Sequence, residues 1–423
     1  MHARLAALPL AVVIVVVGAA AANRILRPPA GGAGGPISTP VTMTSSLAPA
    51  ASSGLAAPLR APPFDGGAAA EAGAPRMIHG SPRHVHRSAA RGPQAAKVGW
   101  RVPVGGAVAA QVTSSPDEQT LYAATLDGSV VALARTDGAR RWTTRLGDRV
   151  YSTPLVHDDG TLYVGTDGKK LVALSAGGVV LWRLEVEGEA DTGAVFAQDG
   201  TIVFAAGSAV HGARRGGDLA WRFAAKGKVF TAPALTAEGL VVFGSQDHHV
   251  YALASDGTLS WSTDLGADVD GAPAIADDGA VYVGTDRGEI VRLEPRGKIA
   301  WRAAVGGFVR GSLAVARNGD VLAGTYGPVP RVVRVSPEGA IRGAFAIQGT
   351  GAREFGIHGG PLEDAEGALY FGAKDDAAYA LGPDGAPRWR FETGADVDAL
   401  LTLLSDGSLI VPSEDGTVTM LLP

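Results

Sequence analysis

Nine residues after each member of a regular tryptophan series, the chain carries a residue that could do chemistry. These positions are Ala109, Tyr151, Asp191, Phe230, Asp270, Arg310 and Asp398, and an insertion in the seventh unit places His358 there. The residue before is mostly Val or Ile and the residue after is small, so the variety is concentrated at this one place. Carboxylates, aromatics, an Arg and a His at equivalent positions read as a polar, net-acidic recognition face for a peptide, a protein or a cationic ligand. A solvated rim without a ligand is the alternative. Loops one step further along each unit add Asp167, Asp247, His248, His249, Asp286, Arg287, Lys374, Asp375, Asp376 and Glu414. Eight extra residues near 349–356 add Arg353, Glu354 and Phe355, the Phe suiting either a binding hot spot or loop packing. No catalytic set emerges: Ser/His/Asp order, phosphate loop and HExxH motif are all missing. The chain has no cysteine, which excludes disulfides, thiolate metal sites, a Cys nucleophile and a lipidated N-terminal Cys. The Asp-Gly pairs resemble calcium loops singly, but their recurrence assigns them to hairpin turns, so no metal or cofactor is expected.

A repeat of about 40 residues must position this set. Tryptophan stands at Trp100, Trp142, Trp182, Trp221, Trp261, Trp301 and Trp389, with intervals of 42, 40, 39, 40, 40 and 88 residues; Ile341 takes the Trp place within the last. A glycine series, Gly160, Gly200, Gly239, Gly279, Gly319, Gly367 and Gly407, keeps the same register. Residues 261–300 show one unit clearly: "VDGAPAIA", "AVYVGT" and "EIVRLE" separated by turn dipeptides, then a short strand "KIAW". Four short antiparallel strands per repeat make a propeller blade. Fourth strands end at 100, 142, 182, 221, 261, 301, 341 and 389, which makes eight. The first lacks a preceding three-strand group and the last group lacks a fourth strand. The expectation is an all-β, eight-bladed ring in which residues 96–101 supply the outer strand of the C-terminal blade, leaving no free edge. The tryptophans then pack between blades as structural residues rather than as ligand platforms.

The stretches "VYVGTDRGEIVRLEPRGKIAW", "TLYVGTDGKKLVALSAGGVVLW" and "HHVYALASDGTLSW" resemble the quinoprotein-type, or PQQ-like, propeller repeat over residues 97–423. The blade count and closure are also similar to the BamB family of outer-membrane assembly lipoproteins, although this chain lacks a lipid-attachment Cys and carries a long preceding linker. The resemblance to quinoproteins implies a calcium-bound quinone held by an adjacent Cys pair, an Asn, a Glu and a catalytic Asp. Here there is no Cys, and the asparagines are Asn23 and Asn318, neither at the ring positions. A quinone-dependent dehydrogenase is therefore not expected.

Ahead of the repeats, Leu5–Ala22 is an apolar run suited to a signal peptide or an uncleaved anchor. Residues 28–95 are rich in Ala, Gly, Pro, Ser and Thr and read as a disordered linker. At its end, Arg76, Arg83, Arg87 and Arg91 are interleaved with His79, His84 and His86. Those histidines suit a metal, but a solvated basic tail is the expected role. Residues 1–97 carry a net +7 and residues 98–423 a net −12, so the main body is a poor nucleic-acid binder. The reading is an exported, monomeric propeller of a bacterial envelope or periplasm. It would serve as a non-catalytic scaffold for an envelope protein or peptide, with membrane attachment through residues 5–22. An assembly factor of the BamB kind is the first alternative. A small-molecule sensor or enzyme using the channel mouth is the second.

Overall fold

The computed structural model describes residues 75–352 and 355–423. The apolar leader, residues 28–74 of the expected linker, and Arg353 with Glu354 lie outside the described residues. Among the described residues, eight four-stranded antiparallel sheets follow one another as blades. Blades 1 to 7 span residues 113–145, 155–185, 195–224, 234–264, 274–304, 314–346 and 362–392. Blade 8 spans 402–421 and is completed by Val98–Pro103. No helix among these residues is long and apolar enough to cross a membrane.

Each blade begins at the axis with a two-residue strand, continues through two buried strands and ends in an outer strand. In blade 5 these are Ala274–Ile275, Val281–Gly284, Glu289–Leu293 and Ile299–Ala304. The middle strands are covered on both faces by neighbouring blades, hence near-continuous apolar runs such as "VYVG". Outer strands have one wet face and alternate in burial. The core is accordingly divided among the joints between blades. Tyr122, Val130 and Ala132 of blade 1 pack on Leu162, Val164 and Val172 of blade 2 in one such joint.

Four joints are pinned by an indole that donates to a carbonyl of the next blade. Trp182 Nε1 donates to the Arg215 carbonyl of the next blade at 2.9 Å, and Trp142 and Trp301 do likewise with Ala176 and Pro337. The ring closes as expected, with the added strand lying two residues later than residues 96–101. Trp100, Arg101 and Val102 pair with Met420, Thr419 and Val418.

The last part of the expected linker is not disordered. Residues 75–92 form a strap across the ends of the inner strands. Backbone N–H groups of Ser114, Val156, Leu235, Ile275, Val315 and Glu363, from six blades, donate to the carbonyls of Pro75, Arg76, Pro82, Arg83, Val85 and His86 at 2.7–3.1 Å. His79, His84 and His86 are 1%, 0% and 2% exposed, so they are not a solvated tail. The strap has no apolar periodicity because its anchorage is mainly through backbone carbonyls. It satisfies inner-strand donors that a two-residue strand leaves open.

Candidate functional site

The second strand of several blades ends in a glycine that admits the next blade. A Cβ on Gly284 would stand 2.2 Å from Val309 Cγ1 and 2.6 Å from its carbonyl oxygen. With no side chain there, Val309 N donates to Thr285 O at 3.2 Å. Ala190, Val269, Ile357 and Val397 dock in the same way on Thr166, Ser245, Thr325 and Ala373. Docking of each apolar residue sends its successor toward the axis. Ala109, Tyr151, Asp191, Phe230, Asp270, Arg310, His358 and Asp398 thus line one axial cavity. Its mouth encloses about 490 Å³ and its narrower inner part about 120 Å³. Ile78 of the strap and Gln111 also line the inner part.

A second tier stands behind this ring. The residue two places after the docking glycine reaches the ring residue of the following blade. Asp286 takes Nε and Nη2 of Arg310, Tyr326 Oη lies 2.7 Å from His358 Nδ1, and Lys374 Nζ lies 2.7 Å from Asp398. Gln246 Nε2 lies at the limit of hydrogen bonding, 3.5 Å from Asp270. Asp167 faces Asp191. Burial first, then Asp167, lifts Asp191 to about 7. Burial, with Asp286 next, lifts Asp270 to about 6. Burial works against the Lys374 charge, yet Asp398 and Asp396 hold its pKa above the ordinary lysine value. His358 is open to the cavity but enclosed by surrounding protein, which lowers its pKa.

The ring therefore has two unlike sectors. From blade 6 to blade 8, Arg310, His358 and Asp398 are each paired. From blade 2 to blade 5, the sequence around the axis is Tyr151, Asp191, Phe230 and Asp270, with no cation paired to either carboxylate. Tyr151 and Phe230 are 38% and 40% exposed. The Phe230 face already receives one ammonium group, Lys228 Nζ at 5.4 Å from the ring centroid.

The other sequence-chosen residues lie elsewhere. His248 pairs with Asp268 at 3.2 Å, and His249 stacks on Tyr251; neither lines the cavity. Phe355 packs against the joint between blades 6 and 7 beside Phe371 and Tyr379, so it has the packing role rather than that of an exposed anchor. Tyr326 was not singled out in the sequence. Its signal is the segment "GTYGPVPR", which replaces the Asp of "GTDRGE" in the preceding unit and lengthens the loop. Ile78 and Gln111 gave no signal of their own.

The residues do not fit a calcium-bound quinone. The chain offers no Cys pair. Asn318 sits in a turn of blade 6, where its Oδ1 accepts from Asp320 N and its Nδ2 donates to the Asp320 carboxylate. Among the described residues, no three His, Asp or Glu side chains converge on a metal position.

A family model described as outer membrane protein assembly factor BamB matches residues 89–213, 171–267 and 246–326. No curated protein matches at a significant level. Among solved structures, BamB from Moraxella catarrhalis is similar at 20% identity and TM-score 0.61, covering 76% of this chain and 96% of that one. The computationally designed Ika8 protein is similar at 15% identity and TM-score 0.63, covering 77% and 100%. Quinohemoprotein alcohol dehydrogenase from Comamonas testosteroni is similar at 14% identity and TM-score 0.69, covering 84% and 82%. These likenesses are of fold; the repeat match extends over more than half of the chain, which belongs to the PQQ-like propeller family described as outer membrane protein assembly factor BamB.

Proposed function

We propose that this protein is a non-catalytic binding scaffold of the cell envelope that takes a cationic segment of a protein partner at its axial cavity. The observation that carries this reading is the alternation of aromatic and carboxylate side chains through Tyr151, Asp191, Phe230 and Asp270. A lysine ammonium or arginine guanidinium entering there meets carboxylates that, among the described residues, form no ion pair of their own, and ring faces that attract positive charge. Membership of the BamB family, and the structural likeness to the Moraxella catarrhalis protein, support placing that partner among proteins of outer-membrane assembly. The net −12 of residues 98–423 adds long-range attraction for a basic partner.

The test is calorimetric titration of the full chain with the Nα-acetyl amides of arginine and lysine, using Nα-acetyl norleucine amide as the uncharged control. The cationic probes are expected to bind saturably and the control at least tenfold more weakly. A variant carrying both Asp191→Asn and Asp270→Asn should abolish the difference. Equal binding of all three probes, or an unchanged preference in the double variant, refutes the reading.

A further inference from the structure

The strap over residues 75–92 contains three histidines whose surroundings are unusual in three independent ways. First, they are clustered: the His79 ring centroid lies 5.0 Å from that of His84 and 4.9 Å from that of His86. Second, they are buried with incomplete hydrogen bonding. Among the described residues, neither nitrogen of His79 has a partner, and Nε2 of His84 has none. His84 Nδ1 faces the Pro273 carbonyl, and the two nitrogens of His86 face the carbonyls of Gly360 and Leu401. Third, all three adopt left-handed backbone conformations, with φ of 57°, 57° and 53°. Such backbones are costly for non-glycine residues and persist only while surrounding contacts hold them.

We propose that residues 75–92 are a releasable plug, held under the ring by three uncharged imidazoles and freed when those imidazoles take up protons. Release removes Ile78 from the lining of the axial cavity and opens the cavity at its inner end. Burial favours the neutral rings, outweighing the carbonyls that face His84 and His86 and favour the protonated form. Burial is the main influence on each of them, and among the described residues no carboxylate pairs with any. The charges on the strap and on the blades packed against it are engaged with one another. Arg76 pairs with Asp158, Arg83 and Arg87 with Asp277, and Arg91 with Glu366. Arg317 pairs with Glu363, Glu118 with Arg135 and Ser405, and Asp364 accepts from Gly92 N and Tyr370 Oη. A proton on one ring therefore meets only carbonyls and the other two rings. Because both His86 nitrogens face carbonyl oxygens, the cluster offers no convergent set of three metal donors.

The sign follows from linkage. The docked rings resist protonation, with His84 and His86 lowered to about 4 from 6.5. The released strap protonates normally, so docking is unpenalised above pH 6.5 and weakens as pH falls below it. Between pH 7.5 and 5.5 each ring contributes about a tenfold shift toward release, or ~10³ for three.

The experiment is hydrogen exchange of the full chain at pH 7.5 and 5.5, corrected for intrinsic exchange rates. Protection of strap amides is expected to fall by about 10³ in the wild type while the blades stay protected. A His84→Asn/His86→Asn variant keeps a side-chain donor at both places, tolerates the left-handed backbone and leaves one imidazole. Its strap should lose only about tenfold. Equal losses in both proteins, no loss in the wild type, or parallel loss in the blades overturns the proposal. A second measurement does not depend on that variant folding. The chain has no cysteine, so Ser81→Cys introduces a unique buried thiol. Its methanethiosulfonate labelling rate, relative to the denatured chain, should rise on going from pH 7.5 to 5.5; an unchanged ratio also overturns the proposal.

Discussion

The Asp286 carboxylate takes both Nε and Nη2 of Arg310, at 2.9 and 2.7 Å, across the joint between blades 5 and 6. This bidentate pair neutralises the guanidinium that would otherwise face the unpaired carboxylate of Asp270. Paired guanidinium and carboxylate groups are the stronger class of hydrogen bond, so the neutralisation is firmly held. Asp286→Ala should leave the Arg310 charge less compensated and weaken binding of Nα-acetyl arginine amide by about five- to tenfold. Arg310→Ala should strengthen it by about two- to fivefold, both effects shrinking as salt is raised. Titration of the two variants at low and at physiological ionic strength checks this; the same affinity in both would show that the mouth does not sense this charge.

Asp191 makes stability depend on pH in a stated direction. With Asp191 lifted to about 7 in the fold, the unfolded chain loses this proton near pH 4 while the folded chain keeps it. The group's contribution to stability is thus greatest at acid pH and declines as pH rises toward 7. Asp191→Asn removes the penalty. The variant should be more stable than wild type at pH 8 by about 1–2 kcal/mol, a value reduced for the carboxylate's partial contact with water. At pH 4 the two should melt together. Thermal unfolding at both pH values decides, and a stabilisation that is the same at pH 4 and pH 8 would contradict the raised Asp191.

Gly284 is the residue that lets Arg310 reach the axis. A methyl group there would meet Val309 Cγ1 at 2.2 Å and its carbonyl oxygen at 2.6 Å, and that backbone cannot swing aside without moving the next blade. Gly284→Ala should cost about 2–4 kcal/mol and displace Arg310 from Asp286. Denaturant unfolding gives the first effect. The second is read from the Nα-acetyl arginine amide affinity of the folded variant, which should fall as it does in Asp286→Ala.

The blades were legible because a propeller repeats its contacts. Seven of the eight blades carry an indole at one register position, and most carry a turn glycine at another, so the register shows in residue type alone. The ring was legible for the opposite reason. Nine residues after Trp261 or Trp389, neighbouring positions obey the repeat while Asp270 and Asp398 do not. The strap was misread as linker because its burial leaves no apolar pattern: Pro82 and Arg83 are held through their carbonyls, and His79 is buried uncharged. The second tier was half legible. Asp167, Asp286 and Lys374 stood out as polar loop residues, but nothing in the spacing tied them to the ring residue of the following blade. Tyr326 escaped because its loop is two residues longer than its equivalents.

Glu118 offers a separate reading of strain against bonding. Later units place Gly160, Gly200 and Gly239 at the corresponding turn with φ of 81–83°, whereas Glu118 holds φ 53° with a side chain attached. The exception has a local cause. The buried Glu118 carboxylate accepts from Ser405 N at 3.1 Å and from Ser405 Oγ, and it lies 3.7 Å from Arg135, tying blade 1 to blade 8. Glu118→Ala keeps the left-handed strain and loses the bridge, so it should cost about 3–4 kcal/mol, as expected for breaking a buried, multiply bonded carboxylate. Glu118→Gly loses the same bridge but relieves about 1 kcal/mol of backbone strain. The glycine variant should therefore be less stable than wild type yet about 1 kcal/mol more stable than the alanine variant, measured by denaturant unfolding with matched slopes. If the glycine variant equalled wild type, the bridge would contribute no more than the strain it offsets, and the joint between blades 1 and 8 would rest on its apolar packing, the Trp100 indole bond to the Arg135 carbonyl and the Arg135–Asp406 pair.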